Sequence, residues 1–447
     1  MTAAEARELV TQAERDGVVL LSLQFTDLVG AIKSMTIPLA RLTNALERGV
    51  WFDGSSVEGF SRICESDMLL RPDPTTYRVM TWLPSERPVA RLICDLFRPD
   101  DTSFPSDPRA ILRRQMERAR QMGFVYNTGS ELEFFLFKTE NGPAAQPIPF
   151  DVGGYFDSSQ GDKAALVRRD MMFALEAMGM EVEMAHHEVA AGQHEINIRF
   201  GEALSSADNS ITLKHTIKSV AQQHGVYATF MPKPIFGVAG SGMHTHQSLF
   251  DPQGRNLFYD AHDPYHLSKT AYHFIAGQLA HAKALTAVVA PTVNSYKRLV
   301  PGYEAPAYIC WGQINRSALV RIPRVSPGQE QGTRAELRSP DPSCNPYLAL
   351  AAMLAAGLDG IERELVPPAP MEENVYEFSK AELAEHEIST LPANLNDALD
   401  ALKQDSVILE ALGEQVSPWY VRAKRREWRE YSIQVTEWEL QRYLGVL

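Results

Sequence analysis

The sequence has few cysteines, and none of them form a closely spaced pair. The four are Cys64, Cys94, Cys310 and Cys344, and no Cys-x-x-Cys motif occurs. This spacing argues against the common zinc-binding and dithiol redox motifs. Scattered thiols are typical of a reducing compartment, where disulfides rarely persist. We therefore expect a cytoplasmic protein.

Positive charge is also scarce. The 447 residues include 43 Lys and Arg against 56 Asp and Glu, which gives a formal net charge of −13. Such a balance argues against a general nucleic-acid or membrane-surface binder. It does not exclude an anionic small-molecule substrate, because a local cluster of arginines can override the global field.

Long apolar runs are lacking as well. The longest run of small apolar residues, 348–358, is too short to span a bilayer. The first ten residues, MTAAEARELV, are polar and amphipathic rather than apolar like a signal peptide. With 45% hydrophobic and 22% charged residues, the composition is that of a globular protein. We therefore expect no membrane association.

The chain reads as two domains joined near residue 105. A helical pattern at 3–16 and β-like segments at 18–25 and 90–97 precede a Pro-rich, acidic stretch, 98–108. Asp107 and Pro108 then favour the start of a helix. We predict domains at 1–105 and 106–447, with further helices at 348–365 and across 394–447.

Four β-like segments carry polar, reactive side chains at alternating positions, which places those side chains on one face of each strand. The alternating sets are Glu131 and Glu133; Glu195, Asn197 and Arg199; His244, His246 and Ser248; and Arg334, Glu336 and Arg338. For any single strand, a solvated sheet face explains the pattern. Four strands in one chain, with carboxylates, imidazoles and guanidinium groups, indicate a site that holds metal ions and phosphates.

The candidate metal ligands are mostly carboxylates. Hard oxygen donors favour Mg²⁺ or Mn²⁺ over Zn²⁺, and the carboxylates exceed what one such ion needs. We therefore expect two or more ions. The candidates are Glu131, Glu133, Glu188, Glu195, Glu336 and His244.

Arginines form the complementary set, because planar guanidinium groups bind carboxylates and phosphates in a fork. The candidates are Arg298, Arg316, Arg321, Arg334 and Arg338. The glycine-rich segment 237–242 (GVAGSG) has neither a Walker nor a Rossmann spacing. It either provides backbone flexibility before a ligand strand or allows the backbone to approach a substrate closely.

Several motifs in this order resemble the glutamine synthetase family along nearly the whole chain. The stretch 294–306 (NSYKRLVPGYEAP) is the most specific of them. The others are 52–60 (FDGSSVEGF), 186–189 (HHEV), 192–195 (GQHE), 233–237 (KPIFG), 240–244 (GSGMH), 315–317 (NRS) and 345–349 (NPYLA). The chain resembles the bacterial type I enzymes in their short form, without the insertion found in longer relatives.

The resemblance implies an α+β fold. It consists of a small N-terminal β-grasp-like domain and a large catalytic domain with a curved antiparallel sheet flanked by helices. It also implies a dodecamer of two hexameric rings, with active sites between neighbouring subunits and Asp53 supplied by the adjacent one. The implied substrates are glutamate, ammonium and ATP, and the implied product is glutamine, formed through γ-glutamyl phosphate.

The resemblance also implies roles for individual residues. One metal ion would be held by Glu133, Glu188 and Glu195, and a second by Glu131, His244 and Glu336. Glutamate would contact Arg298, Arg338 and Gly240. The phosphate that is transferred would contact Arg316, Arg321 and His246. The nucleotide would contact Glu183, Phe200, Ser248 and Arg334. The ammonium pocket would be shaped by Asp53, Ser56, Tyr155, Glu188 and Glu304, with Asp53 or Glu304 accepting a proton.

Some positions depart from the family pattern. Ala239 replaces a common Asn that helps bind glutamate, which puts substrate affinity in doubt. The sequence after Tyr376 differs from the form that longer relatives adenylylate, so we expect no such modification. Arg62 matches an Arg linked to glutamine feedback, but a loop salt bridge explains it equally well.

Two other functions compete with glutamine synthesis. A γ-glutamyl amine or polyamine ligase of the same superfamily would need a larger pocket, and retention of Asp53, Ser56 and Glu304 argues against it. A non-enzymatic structural or regulatory relative should have lost metal ligands, whereas the six matching positions are intact.

Overall fold

We analysed a computed structural model of the chain. It describes residues 3–55, 57, 67–83, 86–139, 147–158, 162–303 and 305–447. Three residues singled out in the sequence, Ser56, Arg62 and Glu304, lie outside these ranges, as does Cys64.

The N-terminal part folds around one mixed sheet. Its strands follow the order β2-β1-β6-β4-β3, with β5 also on β6, and β1 runs parallel to β6. The apolar face of this sheet packs into a core with helix α2, as Leu21, Leu42 and Leu92 illustrate. This arrangement is the predicted β-grasp-like fold. The elements are α1 (Ala3–Arg15), β1 (Leu20–Thr26), β2 (Ile32–Pro38), α2 (Leu42–Arg48), β3 (Val50–Asp53), β4 (Asp67–Pro72), β5 (Arg78–Val79) and β6 (Val89–Phe97).

A nine-stranded sheet organises the rest of the chain. Its order is β13-β14-β15-β12-β7-β9-β8, with β10 and β11 also paired to β7. The pairs are antiparallel as predicted, except that β13 and β14 run parallel, so the sheet is mixed. Its strands are β7 (Val125–Lys138), β8 (Val182–His187), β9 (Gln193–Ile198), β10 (Gly201–Glu202), β11 (Val226–Thr229), β12 (Met243–Phe250), β13 (Tyr308–Gly312), β14 (Ala318–Arg321) and β15 (Ala335–Leu337).

Helices pack against this sheet and against one another. They are α3 (Pro108–Gln121), α4 (Ala165–Ala177), α5 (Ala203–Gln223), α6 (Lys269–Ala280), α7 (Ala282–Val289), α8 (Ser295–Arg298), α9 (Pro346–Glu362), α10 (Lys380–Glu385), α11 (Leu395–Gln404), α12 (Ser406–Leu412), α13 (Val416–Ser432) and α14 (Glu437–Tyr443). Short 3₁₀ turns lie at Leu39–Arg41, Pro74–Thr76, Glu330–Gly332 and Val375–Glu377. Within the ranges described above, no helix combines the length and apolar character needed to cross a membrane.

Helix α9 is the central helix of the catalytic part. Asn345 caps it by accepting a hydrogen bond from the Tyr347 N–H at 3.0 Å. Small residues allow α6 and α9 to cross closely, since a Cβ on Gly277 would lie 2.1 Å from the Ala356 carbonyl oxygen. The predicted helix at 348–365 is therefore confirmed, with its start two residues earlier, at Pro346.

A buried ion-pair network joins the two parts of the chain. Arg109, at the start of α3, contacts Asp73 and Asp95 of the N-terminal part at 2.8 and 2.7 Å, and Asp208 of α5 at 2.8 Å. The Tyr347 hydroxyl also donates to Asp208. Arg109, the centre of the network, lies just after residue 105, where we predict the domain boundary. The boundary itself stays a prediction.

His281, buried between α6 and α7, should make stability depend on pH. Its Nδ1 lies 2.6 Å from Asp405 and its Nε2 2.9 Å from Asp359. Burial alone would lower the pKa of His281, but the two carboxylates outweigh burial and raise it. The stabilisation is therefore fully present below the unfolded pKa of about 6.5 and is lost as pH rises through the higher folded value.

We expect His281→Gln to lower the melting temperature most at pH 6, and progressively less as the pH approaches 9. Two hydrogen bonds to charged groups suggest a loss of roughly 2–4 kcal/mol at the acidic end. Thermal unfolding of both proteins across this range measures the difference. His262→Gln, at an exposed site, is the control. A deficit that stays constant with pH would contradict the role of the protonated ring.

Candidate active site

Two adjoining cavities open on one face of the nine-stranded sheet. The first, which we call the acidic cavity, has a volume of about 290 Å³. It is lined by Glu131, Glu133, Tyr155, Phe156, Met184, His186, Glu188, Val189, Gln193, Glu195, Asn197, Ala239, Gly240, His244, Arg298, Tyr303, Ala305, Arg316, Arg321, Glu336 and Arg338. The second, the adjacent cavity, has about 250 Å³ and shares Glu131, Met184 and Asn197 with the first.

Strand register brings the predicted polar residues together. Glu131 of β7 pairs with His244 of β12, and Glu133 pairs with Glu195 of β9. In the same way, Glu336 of β15 lies between His246 and Arg321. Directly paired residues point to the same face of a sheet. Residues far apart in sequence therefore form one charged surface.

Glu131, His244 and Glu336 form the first of two clusters in the acidic cavity whose atoms could hold a metal ion. One ligand atom from each lies within 4.8 Å of the others. The His244 Nδ1 is 3.3 Å from Glu131 Oε2 and 3.8 Å from Glu336 Oε1. Burial and the nearby Arg338 lower the pKa of His244, which keeps the imidazole in the neutral form that binds cations.

His186, Glu188 and Glu195 form the second cluster. The His186 ring lies 3.5 Å from Glu188 and 3.4 Å from Glu195. Buried Glu133 lies close by, and its pKa is raised by desolvation and by the negative charges of Glu188 and Glu195. Such crowding of carboxylates is costly unless a cation compensates it.

The two clusters fit divalent cations. Most of the donors are carboxylate oxygens, which suit Mg²⁺ or Mn²⁺, and each cluster adds one imidazole. The raised pKa of Glu133 is the specific sign of fit, because a bound cation would relieve the repulsion that raises it. The predicted carboxylates lie in these clusters or beside them.

Arginines surround the same carboxylates. Arg338 and Arg321 donate to the two oxygens of Glu336 at 2.6 and 2.7 Å. Burial would raise the pKa of Glu336, but nearby positive charge, that of Arg338 first, holds it at about 2. Arg298 is buried and donates to the backbone carbonyls of Arg338, Ser339 and Pro340. It therefore supports the strand end that carries Arg338.

The adjacent cavity contains the four residues predicted to contact nucleotide. Glu183, Phe200, Ser248 and Arg334 all line it. His246 lies at the junction of the two cavities, with its Nε2 2.8 Å from Glu131 and its Nδ1 accepting from the Arg334 Nε at 3.2 Å. The His246 imidazole therefore joins Arg334 of the adjacent cavity to Glu131, which lines both cavities.

The residues predicted to shape an ammonium pocket are only partly together in one chain. Tyr155 lines the acidic cavity, and so do Tyr303 and Ala305, the neighbours of Glu304. Asp53 is exposed at the end of β3 and accepts a hydrogen bond from the Ser55 N–H at 2.8 Å. Of the residues that the structure describes, Asp53 is not among those lining either cavity.

Sequence reasoning missed several residues of the acidic cavity, and His186 and Gln193 are two that contact the candidate metal ligands. His186 alternates with Glu188, so strand periodicity could have found it. Gln193 carries no charge, and only its hydrogen bonds identify it: its amide nitrogen donates to Glu133 and to the Gly240 carbonyl.

A buried network behind the site was also missed. His187 lies 2.8 Å from Asp151, and His194 lies 3.6 Å from the same carboxylate. The three could hold a metal ion by distance alone. However, the Arg168 guanidinium lies 3.0 Å from the His194 Nδ1 and can only donate. This positive group beside the ring favours a hydrogen-bond network over a cation site.

Comparison with known proteins gives consistent matches. The family model "Glutamine synthetase, beta-Grasp domain" matches residues 17–99, and "Glutamine synthetase, catalytic domain" matches residues 105–443. The chain is 52% identical to the glutamine synthetase of Thermus thermophilus, over 98% of both chains. It is 50% identical to that of Halobacterium salinarum, over 98% of this chain and 96% of the relative.

Solved structures agree in fold. A structure described as "Apo GmaS without ligand" superposes with a TM-score of 0.87 at 36% identity, covering 98% of this chain and 99% of that one. A cryo-EM structure of Plasmodium falciparum glutamine synthetase gives a TM-score of 0.87 at 26% identity, over 99% of both chains.

Proposed function

The chain belongs to the glutamine synthetase family, and on that premise we propose that it joins ammonia to the γ-carboxylate of glutamate at the expense of ATP, through γ-glutamyl phosphate. The observation that carries the proposal is the acidic cavity, where two carboxylate–imidazole clusters lie beside several arginines. It adjoins a second cavity of the kind a nucleotide needs.

We propose two or more Mg²⁺ or Mn²⁺ ions in the acidic cavity. Glu133, Glu188 and Glu195 hold one of them, with His186 beside it, and Glu131, His244 and Glu336 hold another. When bound, the cations supply positive charge that stabilises the phosphoryl group during its transfer.

The arginines of the cavity handle the other anionic groups. Arg298 and Arg338 bind the carboxylates of glutamate, with Gly240 beside it, because guanidinium groups match carboxylate geometry. Arg316, Arg321 and His246 face the phosphoryl group that moves from ATP to the γ-carboxylate. Glu183, Phe200, Ser248 and Arg334 hold the nucleotide. Phosphorylation converts a poor electrophile into a reactive acyl phosphate, and the preorganised positive groups stabilise the charge that develops.

The second half-reaction requires ammonia in place of ammonium. Asp53, Ser56, Tyr155, Glu188 and Glu304 form the ammonium pocket, in which negative charge favours the cation over neutral molecules. Proton transfer to Asp53 or Glu304 then frees the lone pair that attacks the acyl phosphate. Glu304 belongs to a segment between Tyr303 and Ala305, both of which line the acidic cavity. We assign a role in excluding water to the chain around these two neighbours.

We further propose a dodecamer of two hexameric rings, in which a neighbouring subunit supplies Asp53. The exposed position of Asp53 outside both cavities favours a partner's site over its own. Apolar side chains at the C-terminal end, including Trp438, Leu444 and Val446, are 63%, 78% and 81% exposed and suit burial against another subunit. A cytoplasmic location and the absence of adenylylation at Tyr376 stay predictions.

A steady-state assay with a panel of nitrogen nucleophiles tests the proposed reaction. Glutamate, ATP and Mg²⁺ are supplied with ammonium, methylamine, ethylamine or a polyamine, and amide product and ADP are measured. We expect ammonium to give the highest kcat/KM. A higher value for a longer amine would replace the proposal with the γ-glutamyl amine ligase alternative.

Ala239 should weaken glutamate binding relative to relatives with Asn there. Ala239 lines the acidic cavity next to Gly240, so an Asn side chain could reach the bound substrate. We expect Ala239→Asn to lower the KM for glutamate several-fold, because one or two neutral hydrogen bonds contribute about 0.5–1.5 kcal/mol each. The KM values for ATP and ammonium serve as internal controls. An unchanged or raised KM for glutamate would show that another group already makes these contacts.

A further inference from the structure

Gln193 is a buried, uncharged residue at the meeting point of three functional segments. It begins strand β9, and its side chain is about 1% exposed. Its amide nitrogen donates to the Glu133 Oε2 at 2.8 Å and to the Gly240 carbonyl at 3.1 Å. Its amide oxygen accepts from the Ala190 N–H at 3.2 Å. Every polar atom of the side chain is therefore engaged.

The contact with Glu133 determines which oxygen of that carboxylate faces the cavity. Oε2 accepts from Gln193 and also from the Gly242 N–H at 3.0 Å. Oε1 lies on the other side, 3.9 Å from the His244 Nδ1. With Oε2 held by two donors, Oε1 is the oxygen presented to a cation. Gln193 thus orients a carboxylate that we assign to metal binding.

The contact with Gly240 extends the same link to the glycine segment 240–242. This segment packs tightly, since a Cβ on Gly240 would lie 2.3 Å from the Pro232 carbonyl oxygen. A Cβ on Gly242 would lie 2.5 Å from Arg298 and 3.0 Å from His244. Because this segment has so little free space, a displacement of Gly240 also moves the backbone at Gly242.

The backbone of Gln193 adds a third connection. Its carbonyl accepts from the Glu188 N–H at 2.8 Å, and its own N–H donates to Ala190 at 2.9 Å. These bonds close the turn between β8 and β9 and fix the backbone that carries Glu188. One residue therefore contacts Glu133, the backbone of Glu188 and the glycine segment.

We propose that Gln193 is a positioning residue that couples divalent-cation binding to glutamate binding. The inference rests on the proposed function, because it takes Glu133 as a cation ligand and Gly240 as part of the glutamate site. A cation that draws Glu133 into place also orients the Gln193 amide, which holds the Gly240 carbonyl where glutamate needs it. By thermodynamic linkage, glutamate must then strengthen cation binding by the same factor.

Removal of the amide at constant size tests the coupling. Gln193→Met keeps the length of the side chain but cannot donate to either partner. Calorimetric titration of the assembled protein measures the Kd for Mn²⁺ with and without saturating glutamate, and the ratio of the two values is the coupling factor. We expect this coupling factor to fall by about tenfold in Gln193→Met. That change corresponds to the free energy of one lost hydrogen bond to a charged group.

Gln278→Met is the matched control. Gln278 is also a buried amide, hydrogen-bonded to Gln247 and the Met353 carbonyl, and it lines neither cavity. We expect it to lower stability while leaving the coupling factor unchanged. Gln193→Glu is a second variant of equal size, which sets a carboxylate against Glu133 and the Gly240 carbonyl, and it should lose the coupling too.

Three outcomes would overturn the inference. The first is an unchanged coupling factor in either Gln193 variant. The second is an equal loss of Mn²⁺ affinity with and without glutamate, so that the coupling factor is preserved. That result would mean that Gln193 has only a structural role. The third is that both Gln193 variants fail to assemble while Gln278→Met assembles. That result would also mean that Gln193 has only a structural role. If the wild-type protein synthesises glutamine while a Gln193 variant keeps the wild-type coupling factor, only the coupling is refuted. A wild-type protein that binds no glutamate refutes the proposed function as well.

Discussion

Glu336→Ala and His244→Ala should each reduce turnover by at least roughly a thousandfold. Metal ions contribute several kcal/mol to the stabilisation of charge in phosphoryl transfer, and each 1.4 kcal/mol is a factor of ten in rate. Both residues belong to one cluster of ligand atoms within 4.8 Å.

The two substitutions differ in their structural cost. Glu336 is about 1% exposed and pairs with Arg338 and Arg321. Its removal takes away the carboxylate to which both guanidinium groups donate, and breaking a buried ion pair destabilises a protein strongly. Glu336→Gln, which keeps the shape, separates this effect from loss of the ligand. His244→Ala removes a neutral ring at lower cost.

The measurement is kcat at moderate and at high Mg²⁺, together with circular dichroism and the mass of the assembly. Glu385→Ala and His262→Ala, both at exposed sites, are the matched controls. Near-wild-type turnover in a folded Glu336 or His244 variant at moderate Mg²⁺ would remove that residue from the ligand set.

Asp53→Ala should raise the KM for ammonium by roughly ten- to hundredfold, the range expected for one lost charge-assisted contact. The KM values for glutamate and ATP should change much less, because arginines and cation ligands bind those substrates. Hydrogen bonds from Ser55 lower the pKa of Asp53, so the carboxylate is charged at neutral pH. Asp53→Asn keeps the shape and isolates the contribution of the charge.

ADP formation separates this effect from a general defect. Formation of γ-glutamyl phosphate does not require ammonium, so slow ADP release without ammonium should survive Asp53→Ala. A large change in the KM for glutamate, with ammonium unaffected, would contradict the assignment.

Complementation between variants tests whether Asp53 comes from the neighbouring subunit. Assemblies that mix Asp53→Ala and Glu336→Ala chains contain some sites with both residues intact, provided that the two come from different chains. At an ammonium concentration well below the raised KM of Asp53→Ala, we expect co-expressed mixtures to show more activity than either variant alone. Mixtures as inactive as the two parents would mean that each site is built within one chain.

Strand periodicity alone predicts most of the charged sheet face. Because side chains alternate in strands, Glu131, Glu133 and His244 had to share faces with their strand neighbours. Sequence could not supply the register that sets Glu131 opposite His244 and Glu133 opposite Glu195, since strand pairing depends on contacts distant along the chain. Alternation alone is not sufficient to place a residue in the site. Arg199 alternates with Asn197, yet it is exposed and pairs with Glu181.

Two of the residues that sequence missed, Gln193 and His187, act through partners distant along the chain. Gln193 matters because of Glu133 and Gly240, 60 and 47 positions away. His187 meets Asp151 across 36 positions and points away from the charged face. Neither residue shows a periodic pattern that distinguishes it from an ordinary buried polar group. In the same way, no local signal indicates that β13 and β14 run parallel.

Isotope transfer tests the central claim most directly. Glutamate with oxygen-18 in both γ-carboxylate oxygens is supplied with ATP, Mg²⁺ and ammonium, and the products are analysed by mass spectrometry. Attack of ammonia on γ-glutamyl phosphate breaks the bond between the acyl carbon and the bridging oxygen. We therefore expect glutamine with one labelled oxygen and phosphate with the other. Unlabelled phosphate, or ATP hydrolysis without labelled glutamine, would contradict the account.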